Sequence, residues 1–364
     1  MKIAFYGSSL LSSYWNGAAT YYRGLLSALA RHGHDITFFE PDVHDRSAHR
    51  DIGMPDWCRV IVYEGTPEAM RAAAAQAAEA DVVVKASGVG FEDDALLAAV
   101  LQAARGDAVT VFWDVDAPAT LAEMREAPDH PLRRSLPDLD LVLTYGGGDP
   151  VVSAYRSLGA RACQPIYNAH DPQTHHPVAA DPRFAADLAF LGNRLPDREH
   201  RVDAFFLAAA RALPARRFLI GGAGWHDKAM PANVRSLGHV ATADHNVFNA
   251  SPTAVLNISR ASMATTGFSP ATRVFEVAGA GGCLISDVWP GIECFFAPGE
   301  EILIARDGLD VAEAVEALTP DRAAEIGRRA RQRALADHTY DRRAVEVDRI
   351  LRDTRRARSR EAAE

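Results

Sequence analysis

The chain has 364 residues, enough for two domains of ordinary size. Its 48% hydrophobic and 24% charged content is that of a globular protein in water, and a formal net charge of −9 gives no support for a nucleic-acid surface. No apolar run reaches the roughly 18 residues of a membrane helix. Cys58, Cys163, Cys283 and Cys294 lack metal-ligand or disulfide spacing and read as buried thiols of a cytoplasmic protein.

The start, Met1-Lys-Ile-Ala-Phe-Tyr-Gly7, is too short in its apolar part for a signal peptide and predicts a strand over Lys2–Tyr6. A helix opens at Asn16-Gly17, with apolar residues at Tyr21, Leu25 and Leu29 and at Tyr22, Leu26 and Ala30, and Gly33 ends it. Strands follow at Asp35–Phe39, Arg59–Tyr63, Asp81–Lys85, Ala108–Trp113 and Leu139–Thr144, several of them separated by alanine-rich helical segments. This alternation implies an α/β protein whose mainly parallel sheet is covered on both faces.

Gln164–Pro177 is rich in turn formers and reads as a linker, with His170, His175 and His176 as surface or hinge residues. The rhythm then restarts with strands at Asp187–Leu191, Arg217–Ile220, Ala254–Ile258 and Cys283–Ser286. Two long charged helices, Pro320–Ala336 and Tyr340–Arg355, close the chain. The expected architecture is two doubly wound, Rossmann-like domains facing across a cleft, residues 1–165 and 166–338, followed by a terminal helix, 339–364. Such sheets bind ligands beyond the carboxyl ends of their strands. The basic stretch Arg349–Arg360 reads as a solvated helix face, with a membrane-surface or partner contact as the alternative.

The segment Ser269–Asp287 is the most informative. Ser269 suits an N-cap and Pro270 the first helical position. Thr272 and Glu276 are four apart on one face, with Arg273 beside them. A helix start of this kind suits a phosphate; Arg273 adds charge, and Glu276 can accept hydrogen bonds from sugar hydroxyls. The plain alternative is a capped helix with a surface Arg–Glu pair. Arg194 and Arg198 follow the strand ending near Leu191, where guanidinium groups suit a diphosphate or simply a surface turn. Gly222, in Gly221-Gly-Ala-Gly-Trp225, permits close backbone approach, and Arg260 puts a further cation at a strand end. Asp114 and Asp116 end an apolar strand. They can hold a divalent metal, act on an acceptor hydroxyl as base or hydrogen-bond acceptor, or simply cap a helix.

Taken in order, several segments resemble the CgeB-like (spore maturation) glycosyltransferases over most of residues 110–305. They are Asp114–Thr120, Leu188–Arg198, Gly238-His-Val240 with Asp244-His245, Leu256–Arg260, Ser269–Asp287 and Gly291–Glu301. The resemblance implies the two-Rossmann-domain GT-B fold, with the terminal helix crossing back onto the first domain. It also implies a nucleotide-sugar donor held mainly by the second domain and an acceptor held mainly by the first. Glu276 then resembles the ribose-binding carboxylate, Arg198 and Arg194 the diphosphate cations, and the backbone near His239 and Val240 the base site. One departure concerns stereochemistry: many retaining relatives carry a second glutamate eight residues before the ribose-binding one, where this chain has Phe268.

The expected activity is glycosyl transfer from a nucleotide-diphosphate sugar without a bound metal or other cofactor. The acceptor is open among polysaccharide, protein, lipid carrier and small molecule. The rivals are a metal-dependent transferase using Asp114 and Asp116 and a non-catalytic nucleotide-sugar-binding protein. A Rossmann oxidoreductase is disfavoured, because Gly7-Ser-Ser-Leu-Leu-Ser12 lacks the dinucleotide fingerprint.

Overall fold

The first strand of each half lies inside its own parallel sheet, third from one edge. The computed structural model describes residues 1–14 and 16–361. It divides into two units, Met1–Tyr167 with Tyr340–Glu364, and Asn168–Thr339.

In the first unit the strands are β1 (Lys2–Tyr6), β2 (Asp35–Asp42), β3 (Arg59–Glu64), β4 (Val82–Ala86), β5 (Val109–Asp114), β6 (Leu141–Thr144) and β7 (Cys163–Pro165). They pair in parallel in the order β3-β2-β1-β4-β5-β6-β7. β4 and β5 are buried along their whole length, as coverage on both faces requires. Alternate residues serve opposite faces. Ala4, Tyr6, Phe39 and Val83 pack with Met70, Ala73, Leu96 and Val100 from the helices Pro67–Ala75 and Asp93–Ala103. Phe5 and Trp113 instead meet the helix Ala18–Arg31, with ring centroids 5.3 Å apart for Phe5–Tyr22 and 6.2 Å for Tyr21–Trp113.

The terminal helix Tyr340–Glu361 belongs to this unit and packs on the helix Ala18–Arg31. Gly24 permits the contact: a Cβ there would fall 2.1 Å from Tyr340 Cδ2. The helix runs past the expected Arg355, and its basic end is not simply solvated. Arg358 pairs with Asp140 at 2.6 Å and donates to the Gly106 carbonyl, while Arg355 reaches Asp81 at 3.4 Å. Those arginines fasten the helix to the loops that enter the sheet.

In the second unit the strands are β8 (Leu188–Leu191), β9 (Phe218–Gly221), β10 (Val234–Ser236), β11 (Ala254–Asn257), β12 (Leu284–Asp287) and β13 (Leu303–Ala305). Their order is β10-β9-β8-β11-β12-β13, again all parallel. Phe190, Ile220, Leu256 and Ile285 pack with Val202, Phe206 and Val311 on one face. Ala189 and Leu219 pack with Phe184, Val240 and Phe248 on the other. Chain order reverses between β8 and β11, which opens a crevice at their carboxyl ends.

The strands that sequence pattern missed, β7, β10 and β13, are each three residues long and each at a sheet edge, too short to show alternation. β2 also runs through Pro41, beyond the expected Phe39. β1 stops at Tyr6 opposite Phe39, so beyond that point β2 pairs only with β3.

The linker histidines are another correction. His170 and His175 are 1% and 8% exposed rather than on the surface. His170 Nδ1 lies 3.0 Å from the His338 carbonyl, and its ring covers Gly279. Burial pulls both imidazoles down to about 4. The folded chain therefore keeps them neutral, while the unfolded chain takes up protons from about pH 6.5 downward. Stability is complete above that pH and falls as the pH drops toward about 4, by about 2 kcal/mol per histidine at around pH 5. Urea unfolding at neutral and mildly acid pH should show this loss, and the double variant His170→Asn/His175→Gln should lose less.

Candidate functional site

After β8 the chain passes through Gly192-Asn193-Arg194-Leu195 and enters the helix Pro196–Val202, with Pro196 in its first turn. That turn brings Arg198 back over Gly192. The helix Thr272–Ala280 presents Arg273 from its own first turn. The two guanidinium groups converge: a Cβ on Gly192 would lie 3.0 Å from Arg273 Nη2 and 3.1 Å from Arg198 Nη1. Arg273 lies over the Phe190 ring, 5.1 Å from its centroid, and donates from Nη1 to Asn257 Oδ1 at 3.0 Å. Burial, then the positive charge of Arg198, pulls the Arg273 guanidinium down to about 9. Two cations held side by side in a partly buried crevice form an electrostatically strained arrangement that an anion relieves.

The helix start differs from expectation. Regular helix begins at Thr272, the N-cap is Ala271, and no side chain caps it. Phe268 takes a left-handed conformation (φ 47°), and the buried Ser269 hydroxyl donates back to the Gly267 carbonyl rather than to the helix. Pro270 thus lies ahead of the helix, where its carbonyl accepts from Asn168 Nδ2 at 2.9 Å. The Thr272 hydroxyl donates to Asn168 Oδ1 at 3.2 Å, so Thr272 pins the approach to the helix. The first-turn N–H groups, lacking a side-chain acceptor, remain at the positive end of the helix dipole.

Glu276 sits one turn further along, partly buried. No hydrogen bond or ion pair from any described residue reaches its carboxylate. Burial raises its pKa, while the nearby His245 and Arg273 pull the other way. His245 itself lies 3.2 Å through Nε2 from the Val240 carbonyl.

The remaining sequence candidates fall into different environments. Arg194 is held by Glu199 and Asp227, each at 2.7 Å, and braces the loop rather than facing a ligand as a bare cation. Arg260 is paired with Asp197 at 2.6 Å, which links the starts of two helices. Gly222 (φ 124°) does allow a close approach, but to the protein: its Cβ would lie 2.2 Å from the Gly192 carbonyl oxygen. His239 is exposed, whereas the Val240 side chain belongs to the core beside Phe248.

In the first unit Asp114 is fully buried. Oδ1 accepts from Ser87 Oγ, Thr120 Oγ1 and the Asp116 N–H, and Oδ2 accepts from the Tyr155 hydroxyl. Burial raises its pKa against those hydrogen bonds. A carboxylate so enclosed organises the end of β5, and with no exposed surface it presents neither oxygen to a metal or an acceptor hydroxyl in solution. Asp114→Ala should therefore destabilise the fold by about 3 kcal/mol, since four donors lose their acceptor. Denaturant unfolding measures that cost. Asp116 is only partly buried, at the start of the helix Ala117–Glu126. Among the described residues no group of three or more His, Cys, Asp or Glu side chains is gathered as a metal-ligand set.

Sequence reading missed the polar core behind the arginines. Asp287, fully buried, accepts from Arg201 Nη2 at 2.6 Å, from the Ser259 N–H at 3.0 Å and from Asn257 Nδ2 at 3.2 Å. The available signal was Asn257 itself, an amide within the otherwise apolar run Ala254–Ile258.

Residues 198–349 match the family described as glycosyl transferase-like. Among curated proteins no sequence matches. The fold is similar to that of sucrose-phosphate synthase from Thermosynechococcus elongatus, with a TM-score of 0.70, 15% identity, and 98% of this chain and 100% of that one covered. It is similar to HepE of Anabaena, solved with UDP and glucose, at a TM-score of 0.69, 14% identity, and 97% and 100% coverage. A glycosyltransferase from Rickettsia africae follows at 0.64, with 11% identity and 97% and 98% coverage. No helix among the described residues is long and apolar enough to cross a membrane. The distant structures establish the fold and the family match carries the activity: the chain is a glycosyltransferase of the GT-B fold.

Proposed function

We propose that the protein moves a sugar from a nucleoside-diphosphate donor to an acceptor hydroxyl, with the donor held by the second unit and without a metal ion. The observation that carries this reading is the convergence of Arg198 and Arg273 at Gly192, beside a helix start without a side-chain cap and one turn from the unpaired Glu276. As the bond from sugar to diphosphate breaks, negative charge grows on the leaving group. Two guanidinium groups and the first-turn N–H groups answer that charge, the task a divalent cation performs in metal-dependent transferases. Glu276 is suited to accept hydrogen bonds from ribose hydroxyls. The backbone around His239 and Val240 is suited to the base.

HepE was solved with UDP, which makes uracil the first base to try. Phe268, whose ring packs over Gly291, has no side-chain hydrogen-bond acceptor for the transferred sugar. Of the two candidate aspartates, Asp116 is the less buried and is the one suited to a role at an acceptor hydroxyl. The buried free thiols of Cys58, Cys163 and Cys283 support a reducing, cytoplasmic setting, although Cys294 is exposed rather than buried.

Thermal shift against UDP, GDP, TDP and ADP, with NAD and NADP as controls and each with and without EDTA, tests the reading. A shift specific to one nucleoside diphosphate that survives EDTA is expected. A shift only with NAD or NADP contradicts donor binding, and one abolished by EDTA contradicts metal independence.

A further inference from the structure

The buried polar chain behind Arg273 has an order that packing alone does not require. Arg201 neutralises Asp287 across 2.6 Å; Asp287 and Ser286 Oγ accept from the Asn257 amide nitrogen at 3.2 and 3.1 Å; and the Asn257 amide oxygen accepts from Arg273 at 3.0 Å. The orientation of that amide is dictated by its partners, because only the oxygen end can accept from a guanidinium and only the nitrogen end can donate to a carboxylate. A neutral dipole therefore stands between the Arg201–Asp287 ion pair and the Arg273 cation.

We propose that Asn257 is a positioning residue that fixes the Arg273 guanidinium toward the diphosphate while keeping the Asp287 carboxylate out of direct contact with it, so that its charge stays available to the donor. This inference rests on the donor-site reading above. An aspartate in place of Asn257 would hold Arg273 as well or better, since a charged acceptor strengthens the bond. It would also cancel the charge that the diphosphate is to meet. Asn257 is thus chosen for what it lacks: it orients without neutralising. The Phe190 face under Arg273 acts in the same sense, supporting the cation without an opposing charge.

The test compares Asn257→Asp with Asn257→Ala, using inorganic pyrophosphate and UDP as probes in isothermal titration. If Asn257 only holds the arginine in place, Asn257→Asp binds like wild type and only Asn257→Ala is weakened; that result overturns the proposal. If it also keeps a carboxylate out of contact, Asn257→Asp binds both probes at least as weakly as Asn257→Ala, by roughly tenfold or more relative to wild type. Should Asn257→Asp fail to fold beside Asp287, the double variant Asn257→Asp/Asp287→Asn keeps the net charge while moving the carboxylate next to Arg273. It is expected to fold and to show the same loss, and wild-type affinity in it overturns the proposal. A wild-type protein that binds neither pyrophosphate nor UDP removes the donor-site reading itself, and this inference with it.

Discussion

Glu276→Ala should bind the nucleoside-diphosphate donor roughly 10- to 100-fold more weakly than wild type, while the unliganded variant melts no lower. A hydrogen bond to a charged group contributes about 1.5–3 kcal/mol when its partner would otherwise be lost. The ribose offers such donors, and within the described chain nothing else uses the carboxylate. Burial already raises the Glu276 pKa, so deleting the group removes a desolvation cost from the folded state. Reduced affinity without reduced stability is the signature of a ligand-binding carboxylate. A variant that loses stability but keeps donor affinity would instead mark Glu276 as a partner of Arg273 and His245. Titration calorimetry with UDP and thermal unfolding together separate the two.

Arg273→Met carries the second large effect. The diphosphate loses one of two adjacent guanidinium groups, and affinity for UDP should fall by roughly 100-fold. The unliganded variant should stay within about 1 kcal/mol of wild type, because the buried Asn257 Oδ1 loses the donor Arg273 while two other changes offset that loss. Methionine retains apolar contact with Phe190, and removing one of two like charges beside Gly192 relieves repulsion. Affinity for uridine, which lacks the phosphates, should change little. The contrast between UDP and uridine separates a charge effect from collapse of the crevice.

The parallel strands and their helices were legible because each central strand is a short apolar run bounded by turn residues, and because helix breaks such as Gly33 stand where helices stop. The three-residue edge strands were not, since β10 and β13 bury little and carry no run to read, whereas the longer edge strand β3 was. The residues that gather at the β8–β11 crevice could be named from strand ends, but their electrostatic partners could not. Arg194 and Arg198 look alike in sequence, yet Glu199 and Asp227 claim the first while the second turns toward Arg273. Asp114 likewise looks available at a strand end and is enclosed by side chains from three other segments. Ser269 failed as a cap because Phe268 is left-handed, a backbone choice that no local propensity announces. His170 reads as a linker residue until the fold lays it on Gly279.

The most direct test of the donor site is a crystal structure of the protein with UDP. A diphosphate is expected within hydrogen-bond distance of the guanidinium groups of Arg198 and Arg273 and of the first-turn N–H groups of the helix Thr272–Ala280, with the ribose hydroxyls on Glu276. UDP bound elsewhere, for example at the loop Gly7–Ser12 after β1, or bound here without contact to either arginine, would contradict that assignment.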